Sequence, residues 1–348
     1  MKTITLEQAR QVHSDLLVFD GHNDTPVERV ARGEGPFRWL ERDTAYDMDV
    51  PRMRDGGFDG GFFIVGNGAV ANVWVTAQRT LAQIDAHPDV FRLVCHSNDV
   101  LAAREAGQIS VLITVEGAGR WLEGSVDTLR LLYRLGLRAL GITHGEGGPE
   151  VGMLQGSRSE FGPCTVAERD TARRDLEGLT DFGRDVLRVS NELGIVTDLS
   201  HINDKAFYEV LELSSLPVTM THTAAFGVCP HWRCMTDDQI RALADAGGVL
   251  GIAFAPMFID AQSPTIERLV DHVAFVADLV GVDHVGIGSD YDGLGRQTKP
   301  VVPDVSCLPE LTQALLARGF SEEEAGRIWS GNFLRLLRGT IDGPAEAS

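Results

Sequence analysis

Short apolar runs, each stopping at a polar residue, recur along the chain and set the reading of its architecture. The clearest is Val111-Leu112-Ile113-Thr114-Val115, which ends in Glu116-Gly117. An uninterrupted apolar run of this length, bounded by polar residues and glycine, predicts a strand buried on both faces. Seven other stretches follow the same form. Leu17-Val18-Phe19 leads into Asp20-Gly21-His22-Asn23-Asp24, and Gly60-Gly61-Phe62-Phe63-Ile64-Val65 follows. Ala139-Leu140-Gly141-Ile142-Thr143 stops at His144, and Ile195-Val196-Thr197-Asp198-Leu199 at Ser200-His201. Pro217-Val218-Thr219-Met220-Thr221 stops at His222. Gly248-Val249-Leu250-Gly251-Ile252-Ala253-Phe254 comes next, and His284-Val285-Gly286-Ile287-Gly288 stops at Ser289-Asp290.

Between these runs the apolar spacing changes to that of a helix. Helices are predicted over residues 6–16, 73–86, 126–135, 179–193, 207–213, 236–246 and 266–280, with two closing helices near 308–318 and 321–337. Thr236-Asp237-Asp238 has the composition of a helix N-terminus. Residues 26–51 read as a long polar loop with a short helix, and residues 145–164 as a glycine-rich loop; loops of that length inside a domain are usually functional. Eight strands alternating with helices predict a (β/α)8 TIM barrel of the α/β class, one domain over residues 1–348 with additional terminal helices. A doubly wound open sheet is the competing architecture. The first strand lacks the G-x-G-x-x-G turn that would mark a dinucleotide-binding sheet.

Composition narrows the function classes. The chain has 348 residues, 43% hydrophobic and 23% charged, within the range of a globular protein. A formal net charge of −19 repels a phosphate backbone, so nucleic acid is not an expected partner. Met1-Lys2-Thr3-Ile4-Thr5-Leu6-Glu7 lacks the pattern of a signal peptide, and no apolar run is long enough to span a bilayer. A cytoplasmic protein without a membrane partner is therefore expected. The five cysteines, Cys95, Cys164, Cys229, Cys234 and Cys307, are scattered and form no C-x-x-C. They read as inert thiols, with Cys229 and Cys234 close to a candidate site.

In a barrel the C-terminal ends of all strands open on one mouth, where active sites sit. The polar residues at those ends are His22, Asp24, Glu116, His144, His201, His222 and Asp290. Each alone has a plainer reading. His144 is a turn residue, His201 a helix cap, Glu116 a surface acid, Asp290 a turn aspartate. Together they hold four of the ten histidines in the chain, a concentration that solvated residues would not produce. Imidazoles and carboxylates suit Zn2+, and the set is large enough for two ions. Of three lysines, Lys2, Lys205 and Lys299, none falls at a strand end to serve as a carbamylated bridge. Glu116 takes that role, with His22 and Asp24 completing one metal site and His201 and His222 the other. Asp290 is then placed to orient or deprotonate water, His144 to steady a developing oxyanion, and Arg233 to fork onto a substrate carboxylate. His231 receives no role.

With these residues assembled, the chain resembles the membrane (renal) dipeptidase family, zinc dipeptidases of the amidohydrolase-like barrel group. The matching stretches are Asp20-Gly-His-Asn-Asp24, Val115-Glu116-Gly117, Thr143-His144, Gly178-Leu-Thr-Asp-Phe-Gly183, Asp198-Leu-Ser-His201, Thr221-His-Thr-Ala-Ala225 with Gly227-Val-Cys229, Gly286-Ile-Gly-Ser-Asp-Tyr-Asp-Gly293 and Gly331-Asn332-Phe333. The resemblance implies two zinc ions per chain on His22, Asp24, Glu116, His201 and His222. It implies substrate contacts at His144 and Arg233, and a proton-handling acid at Asp290. It also implies hydrolysis of dipeptides, often with a D-residue on the C-terminal side, and a homodimer. Two stretches depart from the family pattern: Gly60–Asn67 and the loop 145–164. Both would line the mouth, so the departures bear on substrate choice. Hydrolysis of another amide, lactam or biosynthetic intermediate is the alternative activity. A non-catalytic barrel would be expected to have lost ligands, and none is missing.

Overall fold

The computed structural model describes residues 3–35, 37–67, 72–144, 164–173 and 177–343. The expected loop 145–164 lies, but for its last residue, outside the described residues. Among the described residues nine strands form one parallel sheet: β1 Phe19–Asn23, β2 Gly60–Asn67, β3 Phe91–Leu93, β4 Ile109–Glu116, β5 Leu137–Gly141, β6 Val196–Asp198, β7 Thr219–Thr223, β8 Val249–Ile252 and β9 Val285–Ile287. Their order is β1-β2-β4-β5-β6-β7-β8-β9, and β3 pairs with the start of β4. The eight strands on that path are the eight expected ones, shifted by a few residues at their ends. β3 and the helix Ser97–Glu105 are additions: Phe91-Arg92-Leu93 is too short to give a periodic signal, and β4 supplies its pairing.

The barrel closes between its first and last strands without a regular ladder. Asn23 bridges Tyr291, Asp24 N donates to Tyr291 O at 2.8 Å, and Asp290 N donates to His22 O at 3.0 Å. Asp20 completes the seam, accepting from Ser289 N at 2.7 Å and Ser289 Oγ at 2.8 Å.

Alternate residues of each strand serve two separate cores. Phe63, Val65, Val111, Ile113, Val115, Met220 and Ile252 pack with the surrounding helices. Phe19, Phe62, Leu112, Ala139, Val196 and Val249 form a second cluster with Phe333, Leu336 and Leu337 of the C-terminal helix Asn332–Thr340. This second cluster fills the barrel's interior and floor. The Phe333 ring sits so close to the strands that a Cβ on Gly21 or Gly286 would come within 2.6 or 2.7 Å of it. The expected helix 321–337 is divided. Glu322–Gly326 and Asn332–Thr340 are α-helical, and Arg327–Gly331 winds as a wider π-turn carrying the buried Trp329. Among the described residues no helix is long and apolar enough to cross a membrane.

Candidate metal centre

The period of two explains part of the site directly. On β4, Glu116 lies two and four residues beyond Thr114 and Leu112, so it continues the interior-facing set upward into the mouth. Other strands need a correction on the way. On β7, Met220 faces the helices, and His222 would follow it outward in a regular strand. The register shifts between Met220 and Thr223, and His222 is turned into the mouth. Similar shifts lie between Asp20 and Asn23 on β1, and between Ile64 and Gly66 on β2. They accompany the inward placement of His22 and Asn67. An extra residue that re-aims a side chain beside an active site is a recurrent use of the β-bulge.

All seven strand-end residues converge. His22 Nε2 lies 3.2 Å from Asp24 Oδ2, and Asn67 Nδ2 holds the other carboxylate oxygen at 2.8 Å. Glu116 Oε1 is 3.0 Å from His201 Nε2 and 3.3 Å from His222 Nε2, and the two nitrogens are 3.1 Å apart. His144 Nε2 is 3.7 Å from Glu116 Oε2, with about a third of its side chain exposed at the rim. Overlapping triads that could hold a metal are His22-Glu116-His222, Glu116-His144-His201 and His22-Asp24-Asp290. Gly293 leaves the last triad room: a Cβ there would lie 2.3 Å from Asp290 Oδ1 and 2.5 Å from Asp24 Oδ2. His201 and Asp290 adopt left-handed backbone, with φ of 66° and 61°, a strained conformation typical of functional residues. The plainer alternative for His201, a helix cap, does not hold, because Asn203 caps that helix and its side chain accepts from Ala206 N.

Three observations test whether a cation fits. Three donor atoms spaced 3.0 to 3.3 Å apart lie a few tenths of an ångström inside one face of a tetrahedron whose edges, for bonds of about 2.0–2.2 Å, are about 3.3–3.6 Å. Glu116 Oε1 and His201 Nδ1 are buried yet have no hydrogen-bond partner among the described residues, so the close contacts of the imidazoles with Glu116 Oε1 are not N–H donations. The charge balance also calls for a cation. Burial pushes the Glu116 and Asp290 carboxyls up to about 7 each. At His22 burial works downward, but Asp24, Glu116 and Asp290 outweigh it and raise the imidazole to about 10. At His201 and His222 burial drives the imidazoles well below their ordinary range, leaving the neutral form that ligates metal.

Arg233 is buried beside this cluster. Its guanidinium has no ion pair among the described residues and rests 5.6 Å from the Phe258 ring centroid. His231, given no role from sequence, is buried against the same ring at 4.8 Å and accepts from Arg233 N at 3.2 Å, fixing the turn that presents the arginine. Cys229 and Cys234 are buried free thiols outside the metal-binding triads. Sequence reasoning assigned no role to Asn67, Asp198 or Thr221. The signal for each was weak: Asn67 ends the apolar strand β2, while Asp198 and Thr221 sit in strands that already carry threonines.

Comparison with known proteins gives one consistent result. The profile of the membrane dipeptidase family (peptidase family M19) matches residues 6–345. A dipeptidase from Claviceps purpurea (strain 20.1), tcpJ, is 31% identical over 261 residues. That match covers 74% of this chain and 57% of the curated relative, so the chain spans little more than half of that protein. The solved structure of a metallopeptidase, dipeptidase AC, superposes with a TM-score of 0.82 at 30% identity, covering 94% of this chain and 99% of the other. A Rhodobacter sphaeroides metallopeptidase holding a phosphinate mimic of the dipeptide L-Ala-D-Ala gives the same score and identity, over 93% and 99%.

Proposed function

This chain belongs to the membrane dipeptidase family, and we propose that it is a zinc-dependent dipeptidase that hydrolyses small dipeptides, L-Xaa-D-Xaa pairs among them. The observation that carries the proposal is the convergence of Glu116 Oε1, His201 Nε2 and His222 Nε2 from three different strands within 3.3 Å of one another. Two ions would be held, one by His22 and Asp24 and the other by His201 and His222, with Glu116 available to both. Imidazole nitrogen with carboxylate oxygen is a donor set suited to zinc. When bound, the metal supplies Lewis acidity and brings the ionisation of water close to neutral pH.

The chain's own groups do the rest. Arg233 meets the C-terminal carboxylate of the substrate with two parallel N–H donors, replacing the partner its buried guanidinium lacks. His144, at the rim, donates from Nε2 to the scissile carbonyl oxygen as that oxygen gains negative charge. An Oδ of Asp290 takes a proton from the attacking water and returns it to the leaving nitrogen. A carboxyl raised toward neutrality by burial is suited to both halves of that transfer. The R. sphaeroides relative's L-Ala-D-Ala mimic supports acceptance of a D-residue on the C-terminal side.

The test is hydrolysis of a library of L-Xaa-L-Xaa and L-Xaa-D-Xaa dipeptides, with metal content measured on the same preparation. About two zinc ions per chain with turnover is the expected result. Two ions with no turnover on any dipeptide would overturn the substrate assignment and direct the search to other amides and lactams. Turnover by metal-free protein would overturn the metal assignment.

A further inference from the structure

A proton count around one hydroxyl fixes which nitrogen of two imidazoles faces the metal centre. The Asp198 carboxylate is buried below the site and accepts four donors. These are Ser200 N at 3.0 Å, Ser200 Oγ at 2.8 Å, Thr221 N at 2.9 Å and Thr221 Oγ1 at 2.6 Å. A carboxylate offers only lone pairs, so the hydrogen in the shortest of these contacts belongs to Thr221. A threonine hydroxyl has one hydrogen and two lone pairs. With its hydrogen committed to Asp198, Thr221 Oγ1 can only accept from its remaining neighbours. Two of them are ring nitrogens: His222 Nδ1 at 3.0 Å and His22 Nδ1 at 3.4 Å. The fourth neighbour, Ser200 Oγ at 3.2 Å, gives its own hydrogen to Asp198 and competes for neither.

We propose that Thr221 is a positioning residue that sets the tautomer of His22 and His222 together, holding a proton on Nδ1 of each ring and leaving both Nε2 lone pairs for metal. This inference rests on the metal-centre reading above and deepens it. His22 and His222 fall on opposite sides of Glu116 in that assignment, so a single hydroxyl orients one ligand of each ion. Tautomer control by an outer hydrogen bond is a general feature of histidine metal sites. Here one oxygen serves two rings, which lie tilted 39° to each other with centroids 3.7 Å apart.

The backbone around Thr221 is built to hold this oxygen still. Its carbonyl oxygen is packed so tightly that a Cβ on Gly251 or Gly288 would lie 1.9 or 1.7 Å from it. β7 therefore cannot slide against β8 and the end of β9 without displacing both glycines' neighbours. His201 differs in this respect, because its Nδ1 has no hydrogen-bond partner among the described residues. It is placed by its left-handed backbone instead.

The experiment compares Thr221→Val, which keeps the shape and removes the hydroxyl, with Thr221→Ser, which keeps the hydroxyl. Zn2+ affinity of the full chain is measured by competition with a chromophoric chelator, and thermal melting of each variant confirms folding. Thr221→Val should bind Zn2+ about 10–100-fold more weakly, and Thr221→Ser should recover most of that loss. Equal affinity of Thr221→Val and the parent chain, or equally weak binding by both variants, would overturn the proposal. A parent chain that binds no Zn2+ at all would instead refute the metal-centre reading. Should the valine variant fail to fold, histidine-selective 15N NMR on the Zn2+-loaded parent chain decides the matter. His22 and His222 should each carry the proton on Nδ1, and a proton on Nε2 of either would refute the assignment.

Discussion

Two groups of buried histidines in this molecule make opposite use of the same side chain. His13 and His272 lie among the outer helices with both ring nitrogens satisfied. His13 contacts Thr312 Oγ1 at 2.7 Å and Gly56 O at 2.8 Å, while Trp329 Nε1 donates to the same Thr312 oxygen at 2.7 Å. His272 accepts from Ala225 N at 3.1 Å and reaches Ile259 O at 2.9 Å. These contacts place the proton on Nε2 and leave no lone pair over. At the mouth the arrangement is reversed. The Nε2 atoms of His201 and His222 crowd a carboxylate oxygen that receives no hydrogen bond. Burial alone therefore says little about what a histidine does. The count of filled and unfilled hydrogen-bonding positions separates a tie between helices from a ligand.

The largest effect that would break this contrast is expected at Glu116. Glu116→Gln removes the charge shared by both proposed ions, and kcat/KM should fall by about 10^3-fold or more together with metal content. Full zinc occupancy with parental turnover would show that the crowding at Glu116 has no ligand role. Asp290→Asn should keep the metal and lower kcat by roughly 10^2–10^4-fold, read by turnover and metal analysis on one sample. Arg233→Ala should raise KM by about 10–100-fold for dipeptides with a free C-terminus and leave C-terminally amidated substrates little changed.

The smallest effect sharpens the other side of the comparison. His13→Phe should leave kcat unchanged and lower stability by about 1–3 kcal/mol, measured by denaturant titration. Its pH dependence has a definite sign. Burial, partly opposed by the bond to Gly56 O, lowers the His13 imidazole to about 4 from an ordinary 6.5, and His272 is likewise lowered to about 4 by burial. The unfolded chain then binds more protons between those values. Stability contributed by the two neutral rings is present above about 6.5 and lost as the pH falls toward 4. A His13→Phe variant should show a shallower acid slope than the parent chain over that window.

Much of the site was legible because an apolar strand that ends in His, Glu or Asp is conspicuous in sequence. Glu116 after Val111–Val115 is the plainest case, since the regular alternation of β4 carries it inward without help. His22, His222 and Asn67 were less determined. Their inward placement depends on register shifts, which arise from pairing between strands and leave no periodic trace in one chain. Asn67 was noted only as a departure from a family pattern, and its bond to Asp24 links residues 43 apart. Asp198 and Thr221 were read as strand residues, because a carboxylate with four internal donors is visible only in three dimensions. β3 and the π-turn at Arg327–Gly331 were hidden for the same reason: neighbours, not local preference, stabilise them.

The ring of Phe333 in the barrel floor has a consequence for synthesis. Translation proceeds from β1 to the helix Asn332–Thr340, so Phe333, the floor residue against which Gly21 packs, is made only after β1 to β9. The seam at His22 waits as long, for its contact with Ser289 spans 267 residues. A nascent chain thus carries His22, Asp24 and Glu116 well before it can join them to Asp290, and its strand interiors stay open until Phe333 arrives. Closure over so long a loop is entropically late and slow. Closure of the seam and completion of the floor therefore both wait for the last strand and the helix behind it.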